Sequence, residues 1–500
     1  MIKYVFFMTN QDHWFNLAKD LFDSKIARPI LWLGDDVHYN KARDLFGKDV
    51  IKNLILIHKP YMIDSVDYNG EFEDFFMSEN YKRSKDKCLK MMDRLDLNST
   101  FSRLDREVYF HNVILWTLNK FSQSKPDVFI TVENPHSWAQ YLIYEICDFL
   151  EVPTFKFNNW MPVPLLFLEN MKTNIRVNRP ANYLITEYEN QVEFSIKSFI
   201  YDLNTKKENF EIFYMRNQRS SRKTINKIKN FFKVDIRNYF FDIKHNIGLI
   251  VKSNYSPINP FNLGFFTRIK IRNRRKLNLR NELNKLEKSF NYESEYVYFP
   301  LHFEPERTTN PDGGDFHDQF LVLTKLRGIL PEEIKIVVKE HPSQFYIANK
   351  GSLGRSPLFY KLINNIKGVC LIDKHQNSIK LILNSIFTAT ICGSVGIEAA
   401  VLGKKSLVFG KSWYSGCPNT INWSENLTYS DIINYKTFND IKFIENFFIE
   451  LKNNFSIPSI QNGHQRKMFS DLINDDFEIS QRTNLKILME SFFKNKLYNL

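Results

Sequence analysis

Five hundred residues, 43% hydrophobic and 15% aromatic, are enough for two or three packed domains and exclude a disordered chain. Cys88, Cys147, Cys370, Cys392 and Cys417 are odd in number, scattered and without a Cys-x-x-Cys pair, which argues against a disulfide framework or a zinc site and fits a reducing cytoplasm. The net charge of +12 favours anionic partners, and no apolar run reaches the roughly 20 residues of a membrane span.

The opening Met1-Ile-Lys-Tyr-Val-Phe-Phe-Met-Thr9 is too short an apolar run for a signal-peptide core and reads as a first strand, Tyr4 to Met8. A helix over Phe15 to Phe22 and strands at Ile30 to Leu33, Val50 to Ile57 and Val128 to Val132 follow, a rhythm that predicts a parallel sheet. Residues 71 to 124 read as polar helices covering that sheet. After Val132 comes Glu133-Asn-Pro-His-Ser137, then an amphipathic helix Trp138 to Leu150 and a strand Pro153 to Phe157. From 176 to 290 the strands disappear and the chain becomes helical and basic. One run carries Arg216, Arg219, Arg222, Lys223, Lys227, Lys229 and Lys233; a second carries Arg268, Lys270, Arg272, Arg274, Arg275, Lys276 and Arg280. Each run alone is usually a solvated helix face. Their nearness in sequence, beside Phe231, Phe232, Phe265 and Phe266, makes an anionic membrane surface or a polyanionic acceptor a candidate partner. Nucleic acid is not favoured, because no helix-turn-helix, zinc finger or RNA-recognition motif is present.

Residues 295 to 420 read as one nucleotide-binding half-domain. Strands end at Phe299-Pro-Leu-His302, at Val338-Lys-Glu-His-Pro342 and at Ile391-Cys-Gly-Ser-Val-Gly396, where an open parallel sheet presents ligand groups. Pro342 holds His341 at a rigid turn, where its imidazole can donate to a phosphate oxygen beside Lys339. The turn Gly393-Ser394-Val395-Gly396 opens a helix whose free N–H groups suit a phosphate. Glu398, one turn after Ser394 and on the same face, could accept from a ribose diol. The pattern is neither a dinucleotide fingerprint nor a P-loop. The loop Leu301 to Asp315 brings Arg307, whose guanidinium fits a phosphate or a carboxylate or else pairs with Glu304 or Glu306. Asp312 and Asp315 do not make a metal motif, so no metal and no cofactor are expected.

Phe299-Pro-Leu-His-Phe-Glu-Pro-Glu-Arg-Thr-Thr309, Val338-Lys-Glu-His-Pro342 and Cys392-Gly-Ser-Val-Gly-Ile-Glu-Ala399 resemble the bacterial capsular polysaccharide biosynthesis family, which includes Kdo transferases of GT-B architecture. The resemblance covers residues 295 to 420 well and the amino-terminal half in outline. It implies an α/β, GT-B-like fold of two Rossmann-type parallel-sheet domains with a helical insertion and C-terminal helices. The expected division is 1–175 (acceptor side), 176–290 (basic insertion), 291–420 (nucleotide-sugar binding) and 421–500 (helices). It also implies a metal-independent glycosyltransferase using a nucleotide-activated sugar, with a CMP-linked acidic sugar as one candidate donor and a glycan or lipid-linked glycan as acceptor. The enzyme would work in the cytoplasm or at the inner membrane face. His341 and Ser394 become phosphate ligands and Glu398 a ribose ligand. The acidic-acidic-glycine triplet of many CMP-sugar transferases is absent.

Transfer also needs a base for the acceptor hydroxyl, expected on the amino-terminal domain. Glu133, at a strand end with His136 three residues on, is ranked first, ahead of Asp12 beside His13; helix capping and a carbonyl contact are the structural alternatives for Glu133 and His136. Two rival readings remain: a CDP-polyol phosphotransferase of teichoic-acid-like polymer synthesis, and a non-catalytic polysaccharide or nucleic-acid binder acting through the basic insertion.

Overall fold

Along β1 (Ile2–Phe7), Tyr4 and Phe6 face one side of a sheet while Val5 and Phe7 face the other, and both sides are buried, the pattern of a strand covered on two faces. A computed structural model describes residues 1–7, 11–33, 36–47, 72–95, 101–160, 163–205, 240, 265–305, 309–345, 351–461 and 463–499. The expected strand over 50 to 57, the basic run 216 to 233 and Arg307 lie outside these residues. The described residues of Met1–Asp96, Phe101–Lys197 and Phe448–Leu500 form one compact unit, and those of Ser198–Phe447 form another.

In the first unit, β1 pairs in parallel with β2 (Ala27–Leu33) and β3 (Val128–Thr131), and β3 with β4 (Thr154–Trp160). Two further strands, β5 (Leu165–Asn170) and the later β12 (Ser456–Pro458), add antiparallel, so the sheet is mixed rather than purely parallel. The run Leu165-Leu-Phe-Leu168 is continuous rather than alternating because both faces are covered, and three-residue β12 carries an edge proline, so neither announces itself in sequence. Helices Glu79–Leu95, Arg103–Gln123 and Trp138–Phe149 pack on the Val5 and Phe7 face through Met91, Phe110, Val113 and Ile143. The helices Asp12–Asp23 and Asp475–Lys494 cover the other face. Residues 421 to 500 are thus shared out: 421–447 belong to the second unit, and the last helix returns to seal the first sheet with Leu485, Leu488 and Phe492.

The second unit is built on β6 (Tyr296–Pro300), β7 (Lys335–Lys339), β8 (Val369–Ile372), β9 (Thr388–Thr390), β10 (Ser406–Val408) and β11 (Thr420–Asn422), all parallel. Among the described residues the order is β11-β10-β9-β6-β7-β8. The chain runs outward from β6 to β8, then crosses back to the far side of β6, so β6 and β9 flank a topological switch point. Helices Gln319–Ile329 and Pro357–Asn364 bury Val322, Leu326 and Ile363 on one face, and Ser378–Asn384 and Val395–Val401 bury Ile379, Ile382 and Ala399 on the other. Helix Phe265–Leu286 joins the first face through Leu279 and Leu283, leaving Lys270, Arg274, Arg275 and Arg280 exposed as a solvated face.

Candidate functional site

At the switch point three strand ends converge. Two residues beyond the paired Pro300 and Lys339, the chain presents His302 from β6 and His341 from β7. His302 Nε2 receives the Ile391 N–H at 3.2 Å and lies 3.1 Å from Thr390 Oγ1 at the end of β9. His341 Nδ1 receives the Ser343 N–H at 3.2 Å, because Pro342 starts a 3-10 turn, Pro342–Phe345, that folds the backbone over the ring. Burial pushes the His302 imidazole down to about 4, helped by the Arg355 charge. Burial, then the charges of His302, Lys339 and Arg355, pushes His341 down to about 3. Both rings are neutral near pH 7.

A fully buried ion pair holds these two ends. Glu340 accepts from Arg355 Nε at 2.9 Å, from the Tyr360 hydroxyl at 2.5 Å and from the His341 N–H at 2.7 Å. Arg355 spends another N–H on the His302 carbonyl at 2.7 Å, so one guanidinium ties β6 to β7. Gln319 bonds both the N–H and the C=O of His302 (2.9 and 3.2 Å), and Gln344 does the same for Glu304 (3.0 and 2.7 Å). None of Arg355, Tyr360, Gln319 or Gln344 stands out in sequence, because each acts on backbone brought close only by the fold.

The glycine turn is where expected, and its groups are partly committed. Gly393 N–H donates to Thr390 Oγ1 at 3.0 Å, whereas Ser394 and Val395 N–H carry no bond from the described residues. Ser394 and Glu398 do share a face: the hydroxyl donates to the carboxylate at 2.8 Å. Burial raises the Glu398 carboxyl above its usual value, against the Ser394 bond and the Lys339 charge. Lys339 sends its ammonium to Gln376 O at 3.0 Å and to Ser378 Oγ, and burial pushes it down to about 8. Gly396 has a reason that the sequence hides. A Cβ there would lie 2.1 Å from the Tyr414 hydroxyl, which itself donates to Gly393 O at 2.6 Å. Tyr414 fills the space a side chain at Gly396 would take. Gly396→Ala should therefore lower the melting temperature through Tyr414, and a Tyr414→Phe background, lacking the hydroxyl, should reduce that loss in a thermal melt.

In the first unit, Glu133 follows β3 with its side chain 45% exposed, 3.4 Å from His136 Nε2. His136 Nδ1 donates to Asn134 O at 2.9 Å, and Ser137, not Glu133, holds the N-cap position of the next helix, without a side-chain cap bond. The loop is held from below by buried Lys156, which reaches Asn134 Oδ1 at 2.5 Å and Glu169 at 3.2 Å. Asp12 opens helix Asp12–Asp23 and pairs with buried His38 Nε2 at 2.7 Å, a partner the sequence did not suggest; that bond lowers the Asp12 carboxyl and makes it a weaker base. His13, beside it, is pushed down to about 4 by burial. Asp12 and His13 line a groove of about 600 Å³ with Arg466 and Arg482.

The segment that builds the histidine site can be compared with known families. Residues 218–427 match the family described as capsule polysaccharide biosynthesis protein. This segment is similar to that family. It includes every strand and strand-end group of the second sheet. A comparison with curated proteins finds no match. Among solved structures, the chain is similar to the KpsC beta Kdo 2,7 transferase of Thermosulfurimonas dismutans, at 11% identity over 67% of this chain and 89% of that one (TM-score 0.26). The beta Kdo 2,4 transferase of the same KpsC gives 12% over 65% and 79% (TM-score 0.25). The UDP-GlcNAc 2-epimerase of Neisseria meningitidis gives 12% over 99% and 100% (TM-score 0.19).

Proposed function

We propose that this chain is a glycosyltransferase of capsular polysaccharide biosynthesis, taking its sugar from a nucleotide whose phosphates sit at the β6/β9 switch point. The observation that carries the reading is the pair of neutral, half-buried histidines at adjacent strand ends, inside the segment matched by the capsule family. Open parallel sheets bind nucleotides at such a point, and directed N–H donors can stabilise the charge that develops on a leaving phosphate. Glu133 is the proposed acceptor base, with Asp12 second, and Lys339, Ser394, Glu398 and Arg307 are proposed around the donor. Ile271 and Leu277 stand exposed among Lys270, Arg274, Arg275 and Arg280, a mixture suited to an anionic membrane surface or polyanionic acceptor.

Incubation with CMP-, CDP- and UDP-linked donors, with detection of the released nucleotide, tests the reading. A sugar nucleotide should be consumed, and His341→Ala should weaken its binding with little loss of stability. Consumption of a CDP-polyol alone would favour polyol phosphate transfer. Equal affinity of His341→Ala and the unaltered protein in calorimetry would remove the phosphate from this site.

A further inference from the structure

Each of the two histidines has one ring nitrogen occupied by a backbone donor. His302 Nε2 faces the Ile391 N–H and the Thr390 hydroxyl, both able to donate to it, which places its proton on Nδ1; His341 Nδ1 accepts from Ser343 N–H, which places its proton on Nε2. Neither of the remaining nitrogens bonds a described residue, and neither is sealed from solvent. The two rings sit at matching distances beyond a paired register, Pro300 with Lys339. His302 cannot drift, because Gln319 and Arg355 hold its peptide groups and the Gly393 turn abuts its ring: a Cβ on Gly393 would lie 3.0 Å from His302 Cε1.

We propose that His302 is a second ligand-binding residue, donating its Nδ1–H to a nucleotide phosphate oxygen beside the His341 Nε2–H. The inference rests on the glycosyltransferase reading and assigns to that site a two-imidazole clamp with backbone-locked tautomers. Depressed basicity suits the role. Both rings stay neutral at the pH where a phosphate is ionised, so binding draws on directed donors rather than on imidazolium charge.

Two substitutions separate binding from scaffolding. The Gln side chain in His302→Gln reaches the former Nε2 position and can accept the Ile391 N–H, but it removes the Nδ1 donor. The Asn side chain in His302→Asn places an amide near the Nδ1 position and abandons Ile391. The expected result is a near-normal melting temperature with roughly tenfold weaker CMP, CDP or UDP binding for His302→Gln, the scale of one hydrogen bond to a charged group. His302→Asn should melt lower yet bind more tightly than His302→Gln. The reverse order, with His302→Gln binding as the unaltered protein does, makes His302 a scaffold and overturns the proposal. In ¹⁵N-histidine-labelled protein the His302 signal, identified by its loss in these variants, should report a protonated Nδ1; a protonated Nε2 overturns it as well. If His341→Ala loses affinity while His302→Gln does not, only the clamp fails. If the unaltered protein binds none of the three nucleotides, the functional reading fails and takes the clamp with it.

Discussion

Arg355→Met is expected to destabilise the Ser198–Phe447 unit by about 3–5 kcal/mol, the usual cost of leaving one partner of a buried ion pair alone. Glu340 is 0% exposed and Arg355 8%, so a carboxylate without its guanidinium would keep only the Tyr360 hydroxyl and the His341 N–H. The loss should appear as an earlier chemical-denaturation transition. A Glu340→Gln/Arg355→Met double variant, which removes both charges, should recover a large part of it. Equal stability of Arg355→Met and the unaltered protein would mean that the pair is not what holds the β6 and β7 ends. Nucleotide binding should weaken in both variants, since the His302 carbonyl loses its guanidinium donor in each.

Glu133→Gln should depress the chemical step by roughly 100-fold or more while leaving donor affinity nearly unchanged, as loss of a positioned base does. The carboxylate is accessible and has an imidazole 3.4 Å away, and it does not cap the helix that follows. Single-turnover rates with saturating donor would measure the effect. A fully active Glu133→Gln with an inactive Asp12→Asn would move the base to the first helix, where His38 already engages the carboxylate.

Much of this was legible in the residues. Strand β7 stops at Lys339, just before Glu340-His341-Pro342, and β9 stops at Thr390, just before Ile391-Cys392-Gly393, close to where the apolar runs give way to polar and glycine residues. Ser394 and Glu398 meet as helix spacing requires. The segment 165 to 170 was not legible, since a short apolar run fits several structures and its pairing with β12, nearly three hundred residues on, is a long-range choice.

By itself the sequence determined the parallel α/β class, the three strand ends that carry the candidate site, and the likeness to the capsule family, all of which depend on local periodicity and short motifs. Only the tertiary structure decided that β9 returns beside β6 and so brings Thr390 and Ile391 to His302. It also decided that Gly396 makes room for Tyr414 and that Arg355 joins two strand ends. Tautomer, basicity and hydrogen-bond commitment are set by which backbone groups and charges lie within a few ångströms, and for His302 those neighbours are 17 to 89 residues away along the chain.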